Sequence, residues 1–190
     1  RVGLRTSSID SLGYKDAFRL KNFNMYHNIA WRENMGAHWK FNGGISYSNN
    51  ADDINGIMQD QNNDDVILPG LEHKTFQVDT KGNYFNAKAV FERRLKGLSA
   101  LRFGSEYNHS NDKTDYTSYT GQLYPITLKE DIVAGFAEAD IYLTNDLAAK
   151  VGTRLEHSEM LDKFNISPRV SLAYKLGKGQ ASVAYGIFYQ

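Results

Sequence analysis

The 190-residue chain has no cysteine, which excludes a disulfide scaffold and any thiolate metal centre. It also has no long apolar run. Nothing approaches the roughly 18 consecutive apolar residues of a membrane-spanning helix. Neither sign of charge dominates: 22 Lys and Arg balance 22 Asp and Glu, for a formal net charge of zero. A basic nucleic-acid footprint is therefore missing, and no nucleic-acid partner is expected. Mean hydropathy is low, at −0.53. That value does not exclude a membrane, because a transmembrane barrel alternates lipid-facing apolar residues with polar lumen residues. Aromatics are plentiful, with 12 Tyr, 10 Phe and 2 Trp. Strands and membrane interfaces both favour them.

Period-2 alternation recurs along the chain. Trp39, Phe41, Gly43, Ile45 and Tyr47 form one row, with His38, Lys40, Asn42, Gly44 and Ser46 between them. Phe85, Ala87, Ala89 and Phe91 oppose Asn86, Lys88 and Glu92, and Leu101, Phe103 and Tyr107 oppose Arg102, Gly104 and Glu106. The pattern returns at Val133–Leu143, Leu147–Glu156, Arg169–Lys175 and Ala181–Ile187. It predicts about nine strands, most near ten residues long. Short polar turns are expected at Arg32-Glu33-Asn34, Arg94-Leu95-Lys96-Gly97, Thr144-Asn145-Asp146 and Gly177-Lys178-Gly179. Longer loops are expected at Asn49–Lys81 and Ser110–Glu130, with a lesser one at Ser158–Asn165. In an up-and-down meander such alternation puts short turns on one rim and long loops on the other, as in outer-membrane barrels. Trp31 and Trp39 are expected in a periplasmic aromatic girdle, with Tyr47 and Tyr107 nearer the outer one.

A short repeat runs through the strands that rise from short turns: Gly44 with Tyr47, Gly104 with Tyr107, Gly152 with Leu155 and Gly186 with Tyr189. Each glycine is expected to face the lumen and each partner the lipid. Val2-Gly3-Leu4-Arg5 matches Val151-Gly152-Thr153-Arg154, so residue 1 is expected to lie in mid-strand; no signal peptide opens the sequence, and either a leader was removed or the chain begins partway through something larger. Gln190 follows Phe188 and Tyr189 without a turn. An odd strand number does not suit a bacterial single-chain barrel, so residues 1–190 are expected to be one piece of a larger barrel domain.

Three stretches resemble barrel strands of TonB-dependent outer-membrane receptors: Ala134-Gly135-Phe136-Ala137-Glu138-Ala139-Asp140 with Val151-Gly152-Thr153-Arg154-Leu155-Glu156; Ser167-Pro168-Arg169-Val170-Ser171-Leu172-Ala173-Tyr174-Lys175-Leu176; and Ala184-Tyr185-Gly186-Ile187-Phe188-Tyr189-Gln190. Phe103-Gly104-Ser105-Glu106-Tyr107 is a weaker echo. The resemblance implies an all-β, up-and-down antiparallel transmembrane barrel of 22 strands, of which this is a part, with an N-terminal plug in its lumen. It implies uptake of a scarce nutrient of the siderophore, cobalamin or oligosaccharide class, driven by TonB through the plug. The sequence departs from the family by omission, having no plug, no TonB-contacting segment and no terminal aromatic strand. Outer-membrane lipid is the expected surroundings, and a surface lipoprotein over the outer face is left open. The rival readings are a small freestanding barrel acting as anchor or adhesin, a soluble secreted β-protein, and, more distantly, a barrel hydrolase.

Arg102, Glu106, Glu138, Asp140, Lys150, Arg154, Glu156, Arg169 and Lys175 form a lumen row of mixed sign. They would either contact a plug and substrate or simply pair across neighbouring strands, and pairing is the favoured reading. The amide-rich acidic stretch Asp52, Asp53, Asn55, Asp60, Asn62, Asn63, Asp64 and Asp65 lacks a complete calcium-loop spacing and reads as a solvated loop. His27, His38, His73, His109 and His157 have no metal-ligand spacing. No cofactor is implied. No nucleophile elbow is present, so no catalytic residue is assigned. Tyr116, Tyr119 and Tyr124 are candidate substrate contacts in the second long loop, each with a broad apolar face and a hydrogen-bonding tip.

Overall fold

The computed structural model describes residues 2–7, 10 and 13–189. The placements of Arg1 and Gln190 expected above lie outside the described residues. The strands are β1 (Val2–Thr6), β2 (Lys15–Met35), β3 (Trp39–Gln59), β4 (Asp65–Val66), β5 (Phe76–Arg94), β6 (Ala100–Thr117), β7 (Leu123–Tyr142), β8 (Leu147–Ser158), β9 (Lys163–Leu176) and β10 (Gly179–Gly186), with one 3-10 turn at Glu72–Lys74. They form one sheet in the order β1-β2-β3-β5-β6-β7-β8-β9-β10, and β4 pairs only with β3. Every long strand therefore lies beside its neighbours in sequence, as an up-and-down meander requires, and this main path has the nine strands expected. Among the described residues, no helix is long and apolar enough to cross a membrane.

Strand length departs from expectation. β2 and β3 have 21 residues each, β7 has 20, β5 has 19 and β6 has 18. At about 3.3 Å per residue, a 21-residue strand runs about 70 Å. The two long loops are correspondingly smaller. Most of Asn49–Lys81 is strand, leaving a connection at 60–75 that itself contains β4 and the 3-10 turn. Ser110–Glu130 is strand except at 118–122. The first short turn falls at Gly36–His38 rather than at Arg32-Glu33-Asn34, because β2 continues to Met35 and Gly36 supplies the positive φ of 72°.

Contacts divide the chain into two compact units. One comprises Arg1–His27, Tyr47–Tyr84 and Ser110–Lys129; the other comprises Asn28–Ser46, Phe85–His109 and Glu130–Gln190. The second unit carries the alternation legible in the sequence. Its odd-numbered row is apolar and exposed along β3 to β8, with Ile45, Phe103, Tyr107, Val133, Ile141, Val151 and Leu155 all open. Phe91 packs on Phe41 and Phe103 with ring centroids 5.0 and 5.7 Å apart, and Trp39 meets Phe103 edge-on at 6.0 Å. Such pairs add about 0.5–1.5 kcal/mol each beyond area burial. Arg93 lies over the Trp39 ring at 5.4 Å, beside the short turns.

The first unit reverses this arrangement. Its odd-numbered row is polar: Asn49, Asp53 and Asn55 on β3, Gln77, Asp79, Lys81 and Asn83 on β5, Lys113 and Asp115 on β6. Asn83 Oδ1 accepts from Tyr47 Oη at 2.9 Å and from Asn49 Nδ2 at 2.7 Å. Its even-numbered row is apolar and aromatic, with Phe18 and Leu20 on β2, Ile54 and Met58 on β3, Phe76 and Val78 on β5, Tyr116 on β6, and Tyr124, Ile126 and Leu128 on β7. Met58 is among the most buried residues of the chain, and the ring of Phe76 lies where a side chain at Gly56 would sit.

Candidate functional site

Strand alternation and register bring the expected lumen charges onto one face of the second unit. Lys150 stands opposite Ser171 and Gly152 opposite Arg169, so the row continues on odd numbers in β9. All of these charges except Lys175 stand in ion pairs. Arg102 Nε donates to Glu92 at 2.8 Å, and Arg102 Nη1 reaches Asp140 at 2.6 Å and Glu138 at 3.5 Å. Lys150 bridges Glu138 and Asp140 at 3.2 and 3.4 Å, and Arg169 reaches Glu138 at 2.9 Å. A second cluster joins Lys88 and Arg154 to Glu106 at 3.5 and 3.0 Å, with Arg154 also on Glu156 at 2.8 Å. Five cations (Lys88, Arg102, Lys150, Arg154 and Arg169) thus meet five anions (Glu92, Glu106, Glu138, Asp140 and Glu156). These ten charges cancel across the face rather than within each strand: β7 contributes only anions, Glu138 and Asp140, which the cations of β6, β8 and β9 neutralise.

Glycine sets the spacing of this row. A Cβ at Gly44, Gly104 or Gly152 would meet the carbonyl oxygen of Ile29, Ala89 or Ala137 respectively, on the preceding strand. The approach is close at Gly104 and Gly152, at 2.2 and 3.0 Å, whereas at Gly44 the 3.5 Å separation is an ordinary contact. Gly104 is also covered by Phe136, over whose ring Lys88 lies at 5.5 Å.

The three tyrosines expected in a loop are only partly together. Tyr116 and Tyr124 are strand residues of β6 and β7 with ring centroids 6.1 Å apart. Phe76 stacks on Tyr116 at 6.2 Å and an interplanar angle of 27°, and Phe18 follows at 6.2 Å from Phe76. The result is a run of four rings on the even-numbered row of the first unit. The sequence reading missed Phe18 and Phe76. Their signal was present as the alternation of Phe18 with Leu20 and of Phe76 with Val78, on the opposite parity from the lipid row. Tyr119 belongs to the 118–122 connection and lines a cleft of about 610 Å³ with Arg19, Lys21, Asn55, Thr75 and Gln77, which Phe76 and Gly56 also border.

The acidic stretch serves local structure. Asp60 Oδ1 accepts the backbone N–H groups of Asn62 and Asp64 at 2.8 and 3.0 Å, closing the turn after β3. Asp65 accepts from Gln59 at 2.9 Å and pairs with Arg19 at 2.9 Å. The Gln59 amide, and after it the Arg19 guanidinium, hold the Asp65 carboxyl below its ordinary value. Among the described residues, no three His, Asp or Glu side chains are grouped to hold a metal ion.

A comparison with curated proteins found no match. A family model described as TonB dependent receptor-like, beta-barrel, matches residues 3–186, nearly the whole chain. That family consists of transporters of the outer membrane. By this match, and by the antiparallel meander with its charged and apolar rows, the chain belongs to the TonB-dependent receptor β-barrel family.

Proposed function

We propose that residues 1–190 form part of the wall of an outer-membrane receptor that binds a scarce nutrient outside the cell and imports it with energy relayed by TonB through a plug domain. The observation that carries this reading is the odd-numbered row of β3. From Trp39 to Tyr47 it is apolar, with aromatic residues at both ends. Those nine positions span about 27 Å along the strand, or about 21 Å of height at a 40° tilt. This is close to the lipid-facing band of outer-membrane barrels, about 25 Å tall. The paired charge row then faces the lumen and the plug, and serves as a neutral wall. Where the odd row turns polar the strands leave the lipid, and Tyr116 and Tyr124, with Tyr119 from the connection beyond them, supply ligand contacts.

The test uses cells that carry the full-length protein. The expected result is recovery of the protein in the outer-membrane fraction, and a nutrient-limited growth defect on deleting either its gene or TonB. The two deletions together should cost no more than either alone. A protein found in the soluble fraction, or a growth benefit that survives loss of TonB, overturns the reading.

A further inference from the structure

The even-numbered row of the first unit has a composition that the import function does not by itself require. Four rings, Phe18, Phe76, Tyr116 and Tyr124, cross the sheet with successive centroid spacings of 6.2, 6.2 and 6.1 Å. Gly56 makes the run continuous, because a side chain there would collide with the Phe76 ring. The outer rings are open, Phe18 at 42% and Tyr124 at 47%. Ile126 and Leu128 on the same row of β7 are exposed at 62% and 50%.

The charges of this unit are sorted between its rows. On β2, β3, β5, β6 and β7, every Lys and Arg falls at an odd-numbered position: Lys15, Arg19, Lys21, Lys81, Lys113 and Lys129. The even-numbered row of these strands carries Asp16, Asp52 and Asp112 and no cation. Asp16 is paired with Lys74 at 2.9 Å. Asp52 accepts from the Asn22 amide, and Asp112 from the Tyr84 hydroxyl. Thr80, Ser110 and Thr114 lie on the same row. A ferric chelate bearing carboxylates or catecholates would meet Asp52 and Asp112 here, and the cation nearest the row, Lys74, is already held by Asp16. A neutral polyol fits better. The C–H face of a pyranose stacks on an aromatic ring, and its hydroxyls donate to carboxylates and amides at the edges. Ring spacings near 6 Å are of the order of the repeat along a pyranose chain.

Resting on the import reading above, we infer that this row is an oligosaccharide track, and that the nutrient is a neutral saccharide of several residues held by Phe18, Phe76, Tyr116 and Tyr124. Binding is governed by ring faces, with the tyrosine hydroxyls secondary. Tyr116→Phe therefore keeps affinity while Tyr116→Ala loses it.

The experiment is calorimetric titration of the full-length receptor, purified in detergent, with three probe groups. These are neutral hexasaccharides (α- and β-linked glucan, mannan and xylan), hexagalacturonate as the anionic saccharide, and ferric enterobactin with cyanocobalamin as non-saccharides. The expected result is saturable binding of at least one neutral hexasaccharide, with hexagalacturonate weaker. Tyr116→Ala and Phe76→Ala should each weaken it roughly tenfold. Tyr116→Phe and the remote Tyr174→Ala should stay within about twofold. Circular dichroism and heat-modifiable migration of each variant separate lost binding from lost folding, and a misfolded alanine variant is replaced by Tyr124→Ala. Binding of ferric enterobactin or cyanocobalamin alone, or of no neutral hexasaccharide, overturns the inference. So does hexasaccharide binding indifferent to all the ring substitutions. TonB-dependent uptake of a ferric chelate would sink the saccharide track and leave import standing. Saccharide binding without TonB-dependent uptake would do the reverse.

Discussion

At the scale of single residues, the glycines of the rising strands are the most constrained positions. A methyl at Gly104 would run into the Ala89 carbonyl, the Val90 Cα and the Phe136 ring. A methyl at Gly135 would meet only the Gly104 carbonyl at 3.9 Å, an ordinary contact. Gly104→Ala should therefore cost about 1–3 kcal/mol through forced displacement of backbone, while Gly135→Ala should be nearly neutral. Urea unfolding of the full-length protein in detergent micelles, followed by tryptophan fluorescence, would show the difference. Equal stability of the two variants would mean that the close approach is not maintained. Asp65 supplies a pH-dependent counterpart. Its carboxyl is depressed by Gln59 and Arg19, so its stabilising contribution is present above the ordinary carboxylate pKa and is lost as pH falls through the lower folded value. Since the chain has no cysteine, a nitroxide attached at Ile67→Cys reports on the connection after β4 alone. The label should gain mobility on acidification below the carboxylate range. In an Asp65→Asn background it should already be mobile at neutral pH and change little with acid.

At the scale of elements, much of the fold was legible in the sequence because one row of each strand stayed apolar through the second unit. Phe41 and Ile45, Phe103 and Tyr107, and Val170 and Leu172 each kept one parity along their own strand, so strand identity, order and most short turns followed. Strand length did not. After Tyr47 the odd row becomes Asn49, Ala51, Asp53 and Asn55, which intrinsic preference assigns to a loop. These residues stay in strand because they join a ladder and because their amides and carboxylates bond across it, as Asn49 does to Asn83 and Lys21 to Asp53 at 3.3 Å. The apolar signal had moved to the other parity, and a reading fixed on one face took the reversal for an ending. The charged row was legible as a row, but its pairing depended on register between strands. Arg102 and Asp140 are 38 positions apart and meet at 2.6 Å. A double-mutant cycle with Arg102→Met and Asp140→Asn should give a coupling of about 1 kcal/mol in micelles, diminishing as salt rises, because the Arg102 side chain remains 35% exposed. Zero coupling at low salt would show that Glu92 and Glu138 hold Arg102 without Asp140.

At the scale of the whole molecule, the change of row has a physical consequence for where lipid ends. On the proposed reading the apolar odd row of β3 ends at Tyr47, whereas the strand itself continues to Gln59. The excess has to stand in water, where an apolar outer row would be an aggregation hazard. The polar odd row of Asn49, Asp53, Gln77, Asp79 and Lys113 meets that requirement. On the proposed reading, the boundary falls where Tyr107 Oη donates to Asp131 and His109 Nδ1 lies 2.8 Å from the same carboxylate. Phenol, imidazole and carboxylate together mark an interface, because the ring tolerates acyl chains while the anion requires water. Single cysteines introduced into the full-length protein at Ile45, Val133, Asn83 and Lys113 should then divide cleanly in intact cells. The last two should react with a membrane-impermeant maleimide. The first two should resist it and instead bring a fluorophore within quenching range of brominated acyl chains after reconstitution. Labelling of Ile45→Cys by the aqueous reagent would place the apolar row of the second unit outside the membrane and remove the basis for reading it as the lipid-facing wall.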